Sequence, residues 1–535
     1  MTGFVSQQAD ALVDHSGVEA APALALRVRA LPVVCFLTCC LTFLYLQLFL
    51  LPHTPFYLFG DGLIFVNNAA RMLNGEMIYR EFFQITTPGS EVIYRTLFKL
   101  FGARIWVHNA VVLGLGLGLV SLNVLIARKV IRGWAAFLPA LFFLAFQFRF
   151  ELTGAHHWFS MLLVMAALVV IIERRSRWRL ACAGALCGLA ACFTQHRGVV
   201  AIGGLAAFVL WEYRQKQLSW RAALRAEALL VAGFLVASLA GLAYFVWEVG
   251  FARFIECTVV FPAKYYSSGY WMNNWGVYLR DLPVRTGDNL IRGVMYAFTY
   301  ALVPLVYLIF WIQYRRRVKT QPQERWDQLM LLNIMGLALF IGVASAPAWY
   351  RLIHISQPGL ILLGWMLDRP HRLRRALIRA TALLLSAILL RALWTQQNNW
   401  HGYLDSPAGR VAFHGPETFE SHQWVVQHTH PSEPFFAATP AFYALAGLRN
   451  PSAVPFLLPN SYTRPEQVRN VIEGLEKSQA RFVYWTTYLD RAPDQPLRDG
   501  DNLEPLRDYL RGHYHVTKIF SARDYMLERN REPVP

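Results

Sequence analysis

Residues 31–65, LPVVCFLTCCLTFLYLQLFLLPHTPFYLFGDGLIF, decide the fold because they place an acid just beyond a membrane span. Residues 31–51 form an uncharged apolar run that is long enough to cross a bilayer. Asp61 follows shortly afterwards, between Gly60 and Gly62. Desolvation at a membrane surface raises the cost of a carboxylate, so such a residue either pairs with a cation or does chemistry. We therefore predict a functional role for Asp61.

The composition extends the membrane prediction to the whole chain. The 535 residues are 55% hydrophobic and the mean hydropathy is +0.31, which is more apolar than a soluble core of this size requires. We predict a polytopic α-helical membrane protein with about eleven transmembrane helices. The apolar runs that define them are 31–51, 106–127, 134–147, 156–172, 180–193, 199–212, 228–247, 293–313, 329–346, 350–367 and 376–394.

The positive charge follows the predicted membrane topology. The chain has a net charge of +17, which by itself is also typical of nucleic-acid-binding proteins. The basic residues, however, concentrate in every second loop, as the positive-inside rule requires. These loops are 128–132, 174–179, 214–225, 315–325 and 369–379. The alternation predicts a cytoplasmic N-terminus and an outer location for Asp61, and we expect no nucleic-acid partner.

The chain divides into three predicted regions. Residues 1–30 are expected to form a cytoplasmic tail, residues 31–394 the transmembrane domain, and residues 395–535 an α/β domain on the outer side. Two outer segments of the transmembrane domain, 52–105 and 248–292, are too elaborate to be simple connectors.

The first outer segment is predicted to carry two amphipathic helices that lie in the membrane interface. Apolar residues at helical spacing predict a helix from Gly62 to Leu73, and Asn74-Gly75 supplies its stop signal. Thr86-Thr87-Pro88-Gly89 is a start signal for a second helix that runs to Phe101. Helices of this kind lie on a membrane rather than across it.

Periodicity in the C-terminal region predicts alternating helices and strands. The expected helices are Glu417 to His428, Arg464 to Lys477 and Leu503 to Arg511, and the expected strands are Glu433 to Ala438, Arg481 to Thr486 and Tyr514 to Phe520.

Several motifs of the first outer segment resemble those of the GT-C glycosyltransferases, in particular the bacterial branch near the protein O-mannosyltransferases and the aminoarabinose transferases. The resemblance rests on Gly60-Asp61, Ala69-Ala70-Arg71-Met72-Leu73-Asn74-Gly75, Ile78-Tyr79-Arg80-Glu81-Phe82, Thr87-Pro88-Gly89 and Tyr94. It also covers the architecture, since that family has interfacial helices after the first span, eleven to thirteen spans and often an outer C-terminal domain.

The resemblance implies an enzyme of the outer membrane face that transfers one hexose or pentose from a polyprenyl-phosphate donor to a glycan, lipid or protein acceptor. Asp61 then corresponds to the family's general base, and Glu151 in the second outer loop to its second acid. This chain departs from the many relatives with two adjacent acids, because Asp61 stands alone. Glu81 is either an acceptor contact or a solvated charge. The protein would lie in the inner (plasma) membrane among its lipids, with the C-terminal domain in the periplasm or outside the cell.

The leaving group of this reaction is a lipid phosphate, which requires cations near the outer membrane surface. Four residues on predicted outer segments fit this role: Arg351, His354, Arg197 and Lys264. Arginine is suited to phosphate because its planar fork donates two parallel hydrogen bonds. Arg351 is the first choice by resemblance, although an arginine that reaches to lipid headgroups would have the same pattern.

Two histidines in the second outer loop leave the question of a metal open. His156 and His157 either contact the acceptor or a divalent cation, which some relatives use, or simply form hydrogen bonds at the interface, which is commoner. Glu151 precedes them by five and six residues, which is not a zinc spacing, and a third ligand would have to come from elsewhere. We commit to no metal and to no other cofactor.

Aromatic and amide side chains crowd the outer segment 248–292. They suit either a sugar, whose apolar faces stack on rings, or an aromatic belt at the interface. The residues are Tyr265, Tyr266, Tyr270, Trp271, Asn273, Asn274, Trp275 and Tyr278.

Two other functions compete with glycosyl transfer. A flippase or exporter of an amphipathic or lipid-linked substrate is disfavoured because carriers usually have ionisable residues near mid-membrane, and the spans here are nearly free of charge. A polymerase or ligase of lipid-linked glycans shares the substrate class but generally lacks an acid after the first span. Soluble nucleotide-sugar enzymes are disfavoured because the inner loops contain no Asp-x-Asp motif and no glycine-rich phosphate loop.

Overall fold

A computed structural model of the chain describes residues 20–217, 219–266, 290–345, 347–369, 372–491 and 500–530. The predicted cytoplasmic tail therefore lies mostly outside the described residues.

Helices dominate the first 398 residues. In chain order they are α1 Ala20–Leu48, α2 Gly62–Leu73, α3 Gly89–Phe101, α4 Ile105–Val130, α5 Leu138–Phe146, α6 His156–Ile171, α7 Arg177–Ala191, α8 Gln195–Gln215, α9 Trp220–Val249, α10 Phe251–Ile255, α11 Leu290–Arg317, α12 Trp326–Val343, α13 Trp349–Ile355, α14 Gln357–Leu367 and α15 Arg374–Asn398. Two π-helical turns, Glu256–Val260 and Pro262–Tyr266, follow α10, and a short strand pair, β1 Phe49–Leu50 and β2 Thr54–Pro55, follows α1.

Six helices of the described chain are long and apolar enough to cross a membrane. They are Ala30–Leu48 within α1, Ile105–Val130 (α4), Gly133–Phe150, which contains α5 and a short 3₁₀ turn on either side of it, Trp220–Val249 (α9), Trp326–Val343 (α12) and Arg374–Asn398 (α15). A seventh candidate, within α11, is bent by 41° beside Pro304, where proline removes a backbone donor and disturbs the helix.

The other predicted spans also fall on helices, but these are shorter or less apolar. Helices α6 and α14 are apolar and have 16 and 11 residues. The runs 180–193 and 199–212 lie in α7 and α8. Helices α6, α7 and α14 fall short of the roughly 20 residues that a perpendicular span needs, and α8, with 21 residues, is not apolar enough, so the count of eleven stays a prediction.

Both helices predicted in the first outer segment are present. Helix α2 has the predicted bounds, and Gly75 adopts a φ of +95° just beyond its end, as a left-handed stop requires. Helix α3 begins at Gly89 and ends before Gly102, also as predicted. The two helices pack against each other and carry buried residues on the faces that meet.

The C-terminal region combines a hairpin, a sheet and several helices. The hairpin strands are β3 Gly402–Ser406 and β4 Gly409–Phe413, and the sheet strands are β5 Phe435–Ala437, β6 Phe482–Trp485, β7 Tyr514–Ile519 and β8 Tyr525–Arg529. The helices are α16 Pro416–His428, α17 Tyr443–Ala446, α18 Pro465–Ser478 and α19 Glu504–His513. In the sheet, the order is β5-β6-β8-β7, with β5 and β6 parallel and the other pairs antiparallel.

All six predicted elements of this region are present within one or two residues at most ends. The hairpin β3–β4 and the strand β8 were not predicted from the sequence, because they are short and contain charged residues that mask the alternation of buried and exposed positions. Whether the region forms an independent domain stays a prediction.

The C-terminal region packs directly on the first outer segment. The backbone N–H of Tyr57 donates to the carbonyl of Ala412 at 2.8 Å, and Phe83 N–H donates to Ala453 at 2.8 Å. Arg71, on α2, donates from Nη1 to the carbonyl of Ser452 at 3.0 Å. These contacts hold the first outer segment against the C-terminal region on both sides of Asp61 in the sequence.

Candidate functional site

Asp61 occupies the N-cap position of α2. Within the described chain its carboxylate makes no capping hydrogen bond to the helix backbone, so the helix N-terminus does not engage its oxygens. The first N–H groups of a helix give its N-terminus a partial positive charge, which favours an anion at this position. Asp61 is accessible to solvent, yet surrounding protein desolvates its carboxyl and raises its pKa. Such a combination is typical of a group that faces a cavity.

The two glycines beside Asp61 allow its turn to lie against the second outer loop. Gly60 has a φ of +138°, a conformation that L side chains rarely adopt. A Cβ on Gly62 would lie 2.5 Å from Nε2 of His108 and 3.1 Å from the backbone nitrogen of Gly154. A Cβ on Gly60 would lie 3.2 Å from Cγ2 of Thr153. The Gly-Asp-Gly sequence is therefore explained by close packing between two outer loops.

The second outer loop is held rigidly where it meets Asp61. The carbonyl of Gly154 accepts a hydrogen bond from Tyr94 Oη at 3.0 Å, and the N–H of Gly154 donates to His108 Nε2 at 3.3 Å. Trp158, a fully buried residue, donates from Nε1 to the carbonyl of Glu151 at 2.9 Å. The loop thus presents Glu151 from a fixed backbone.

Glu151 and Asp61 share one electrostatic environment. Burial and the nearby charge of Asp61 together raise the pKa of Glu151 to about 8. Burial raises the pKa of Asp61 too, but the positive charge of Arg351 opposes that rise. The two acids predicted from different outer loops are therefore close enough to interact electrostatically, and the charge of Arg351 also acts on Asp61.

Arg351 lies at the start of α13, in contact with the π-helical turn Pro262–Tyr266. Its Nη2 donates to the hydroxyl of Tyr266 at 2.9 Å, and its guanidinium lies 5.6 Å from the ring centroids of both Tyr266 and Tyr350. Arginine stacked on aromatic rings keeps a defined orientation.

Arg197 is placed differently from Arg351. It is buried, and its Nη1 donates to Ser160 Oγ at 3.1 Å and to the carbonyl of His157. Its Nη2 lies 3.3 Å from Nδ1 of His157. The ring of His157 in turn lies 4.6 Å from that of His354. Arg197 thus braces the histidines that border the site, and a direct contact with phosphate stays a prediction for it and for His354.

Hydrogen bonds within the protein engage two of the histidine nitrogens that were considered as metal ligands. Nδ1 of His156 is hydrogen bonded to Thr194 Oγ1 at 2.7 Å, and Nδ1 of His157 faces the guanidinium of Arg197. These two nitrogens therefore already have partners within the protein. In the part of the chain that the structure describes, no group of three or more His, Cys, Asp or Glu side chains converges as metal ligands do.

The two remaining predicted residues lie at the edge of the same region. Lys264 is exposed on the π-helical turn that carries Tyr266, with its ammonium 5.2 Å from the ring centroid of Tyr265. Glu81 pairs with Arg80 at 2.7 Å and accepts a hydrogen bond from the N–H of Met77 at 2.6 Å. Glu81 thus has a local structural role, and a contact with the acceptor stays a prediction.

Two buried polar residues near the site were missed in the sequence. Glu91 accepts hydrogen bonds from Gln84 at 2.9 Å and Asn68 at 3.3 Å, and burial raises its pKa to about 7. Its position three residues before Tyr94 on the buried face of α3 was the signal that could have revealed it. The second is His108, which interrupts the apolar sequence at the outer end of α4.

The aromatic cluster predicted in the segment 248–292 is described only in part. Tyr265 and Tyr266 belong to the second π-helical turn. The other predicted members, Tyr270, Trp271, Asn273, Asn274, Trp275 and Tyr278, lie outside the described residues.

Comparisons with known proteins agree with the fold. No protein-family model matches the chain, and no curated protein sequence matches it. Among solved structures, the crystal structure of ArnT from Cupriavidus metallidurans bound to undecaprenyl phosphate is similar, with a TM-score of 0.55 and 14% identity over 93% of this chain and 98% of that chain. The apo structure of the same protein has a TM-score of 0.57 and 14% identity over 95% of this chain and 98% of that chain. The expected resemblance to the aminoarabinose transferases is confirmed at the level of the fold.

Proposed function

We propose that this protein is a membrane glycosyltransferase that moves one hexose or pentose from a polyprenyl-phosphate donor to a glycan, lipid or protein acceptor on the outer face of the membrane. The observation that carries the proposal is the electrostatic coupling of Asp61 to Glu151, across the packed first and second outer loops, and to Arg351. The similarity of the fold to that of ArnT, which was crystallised with undecaprenyl phosphate, supports this donor class.

In the proposed reaction, Asp61 acts as general base. It takes the proton from a hydroxyl of the acceptor while that oxygen forms a bond to the anomeric carbon of the sugar. The bond between the anomeric carbon and the phosphate oxygen breaks, and the polyprenyl phosphate leaves with the electron pair. A base of this kind contributes roughly 10²- to 10⁴-fold to a rate. Desolvation supports the role because a raised pKa makes Asp61 a stronger base than a carboxylate in water.

The two acids differ in protonation. Asp61 faces Arg351, which favours its charged form, whereas Glu151 faces the negative charge of Asp61, which favours its neutral form. With a pKa of about 8, Glu151 holds a proton at neutral pH and can donate a hydrogen bond. We assign it the role of holding the acceptor or sugar oxygen beside Asp61. Two acids with separated roles are a recurring arrangement in enzymes that transfer sugars and protons.

Arg351 is the proposed contact of the leaving phosphate. Its hydrogen bond to Tyr266 orients the guanidinium, and its positive charge opposes the rise in the pKa of Asp61. Charge on the leaving phosphate grows as the sugar bond breaks, so a cation held in place stabilises the transition state more than the ground state. Lys264 adds a second cation to the proposed phosphate contact, and the buried His354 is proposed as a hydrogen-bonding contact, with Arg197 as buried support.

The proposal includes a topology. The N-terminus lies in the cytoplasm, about eleven helices cross the inner membrane, and the C-terminal region from residue 395 lies in the periplasm or outside the cell. The direct packing of that region on the first outer segment supports a common side for both.

The test compares envelope glycans, glycolipids and glycoproteins by mass spectrometry. The cells carry the wild-type chain, no chain, Asp61→Asn, Glu151→Gln or Asp405→Asn, each at equal membrane abundance. Asp405 is an exposed acid paired with Arg410 in the hairpin β3–β4, which makes its variant a matched control. We expect the same sugar to disappear in the deletion and in Asp61→Asn, to decrease in Glu151→Gln and to persist in Asp405→Asn.

Other outcomes separate the competing functions. A sugar that is missing in the deletion but fully present with Asp61→Asn would remove Asp61 as the base and favour a flippase or exporter. Loss of long glycan chains with retention of every single-sugar addition would favour a polymerase or ligase.

A further inference from the structure

The segment of the C-terminal region from Phe456 to Arg464, called here the tail segment, reaches the candidate site. The ring of Tyr462 lies 5.3 Å from that of Phe261 and 6.0 Å from that of Tyr266, in both cases edge to face. Phe456 stacks on the other side of Tyr462 at 5.0 Å. The hydroxyl-bearing ring of Tyr266 is therefore packed against a side chain that lies almost 200 residues further along the chain.

The tail segment is itself rigid at this point. Tyr462 is 2% exposed, and its N–H donates to Asn460 Oδ1 at 2.9 Å. Thr463 Oγ1 accepts from the N–H of Leu458 at 2.8 Å. The N–H of Arg464 donates to Oε1 of Gln467 at 2.8 Å, at the start of α18. A buried ring on such a backbone can hold a neighbouring side chain in one place.

A second contact ties the tail segment to the same π-helical turn. The guanidinium of Arg464 lies 4.1 Å from the ring centroid of Tyr265, and the ammonium of Lys264 lies 5.2 Å from it on the same turn. The turn that carries Tyr266 is thus contacted by a ring, Tyr462, and by a cation, Arg464, from the C-terminal region.

Tyr266 in turn restricts the side chain of Arg351. Its hydroxyl accepts from Arg351 Nη2 at 2.9 Å, and its ring lies beside the guanidinium. An arginine side chain that is already ordered loses less conformational freedom when it binds an anion. The chain of contacts therefore runs from Tyr462 through Tyr266 to the cation that faces Asp61.

We propose that Tyr462 is a positioning residue of the donor site, which holds Tyr266 so that Arg351 is oriented toward the phosphate of the polyprenyl donor. The tail segment is then part of the machinery that recognises the lipid phosphate, rather than only a cover. The inference rests on the proposed function, because it needs Arg351 to bind that phosphate.

The test measures the affinity of the purified full-length protein in detergent for undecaprenyl phosphate, with undecaprenol as the uncharged probe. Tyr266→Phe keeps the ring and removes the acceptor of the Arg351 hydrogen bond. Tyr462→Ala removes the supporting ring, and Tyr462→Phe keeps it. Tyr488→Ala, an exposed tyrosine of the same region, is the control.

We expect Tyr266→Phe and Tyr462→Ala to raise the Kd for undecaprenyl phosphate by roughly five- to tenfold, which is about the net contribution of one ordinary hydrogen bond. The Kd for undecaprenol should not change, since that lipid has no phosphate for Arg351 to bind. Tyr462→Phe and Tyr488→Ala should bind both lipids as the wild type does.

The outcomes separate the inference from the proposed function. If Arg351→Gln weakens phosphate binding while Tyr266→Phe and Tyr462→Ala do not, the positioning role is overturned and the donor site stands. If Tyr462→Ala weakens both lipids equally, the ring has only a structural role and the inference is overturned. If the wild type and Arg351→Gln bind undecaprenyl phosphate equally, the proposed donor site fails and the inference fails with it. Should Tyr462→Ala not fold, Tyr266→Phe decides the question.

Discussion

Replacing Glu91 with Gln should flatten the dependence of stability on pH. Glu91 lies on α3, buried against α2, and its Oε1 accepts hydrogen bonds from Gln84 and Asn68. Tyr79 is the titratable neighbour that acts electrostatically with it. Gln keeps the acceptor oxygen and the shape of the side chain but cannot ionise. The substitution therefore isolates the cost of charging one buried carboxyl.

The size of the effect follows from the raised pKa. Burial moves the pKa of Glu91 from 4.5 to about 7, so the folded chain binds this proton more tightly than the unfolded chain does. The resulting stability is fully present below about pH 4.5 and is lost as the pH rises to about 7. A shift of about 2.5 units, at about 1.4 kcal/mol per unit, corresponds to roughly 3 kcal/mol.

The assay is the unfolding midpoint of the full chain in detergent, measured from about pH 5 to about pH 8 for the wild type, Glu91→Gln and the exposed control Glu417→Gln. The wild type and the control should lose stability over this range, and Glu91→Gln should lose less. The variant should be more stable than the wild type at the upper end. Parallel curves for Glu91→Gln and the wild type would refute the argument, since they would mean that Glu91 does not stay protonated in the folded protein.

Three further predictions concern the site and the C-terminal region. Arg351→Gln removes the cation that lowers the pKa of Asp61, so the acid limb of the pH–rate profile should move to higher pH, and an unmoved limb would contradict the pairing. Gly62→Ala places a Cβ 2.5 Å from His108 Nε2, and we expect about 1–3 kcal/mol of strain. The activation free energy of turnover should rise by more than the free energy of unfolding falls, and equal changes would argue against a role in placing Asp61. Arg507→Ala removes the ion-pair partner of Asp501, at 2.8 Å, and of Glu504, at 3.0 Å, so the C-terminal region should lose about 3–5 kcal/mol of its free energy of unfolding. Limited proteolysis of this region should become faster, and an unchanged rate of cleavage would contradict the argument.

The sequence predicted those parts of the fold that depend on local patterns. Apolar periodicity and the Asn74-Gly75 stop predicted α2 with its observed bounds, because the amphipathic face and the left-handed glycine are local properties. Span lengths were less predictable, since helices inside a bundle such as α14 can be shorter than a bilayer is thick. Short strands such as β8 depend on partners far away in the chain, which no local pattern reveals.

In the candidate site, too, residues with a local signal were predicted and residues that depend on distant contacts were missed. Asp61 was predicted because an isolated acid beyond a span is costly, and this cost is visible in the sequence. Glu91 was missed because its burial depends on the packing of α3 against α2, and its charge looked like that of an ordinary first-turn acid. The link from Tyr462 to Arg351 is also invisible in the sequence, because it joins residues from three distant segments.

Packing against the second outer loop explains why Asp61 has no acidic neighbour in the sequence. A second acid beside Asp61 is disfavoured, because a Cβ on Gly62 would lie 2.5 Å from His108 Nε2 and Gly60 has a φ of +138°. The close contact instead brings Glu151 to Asp61 from the other loop, and the charge of Asp61 helps to keep Glu151 protonated. A two-acid site built in this way depends on the fit between the loops. The glycines should therefore be as sensitive to substitution as the acids that they bring together.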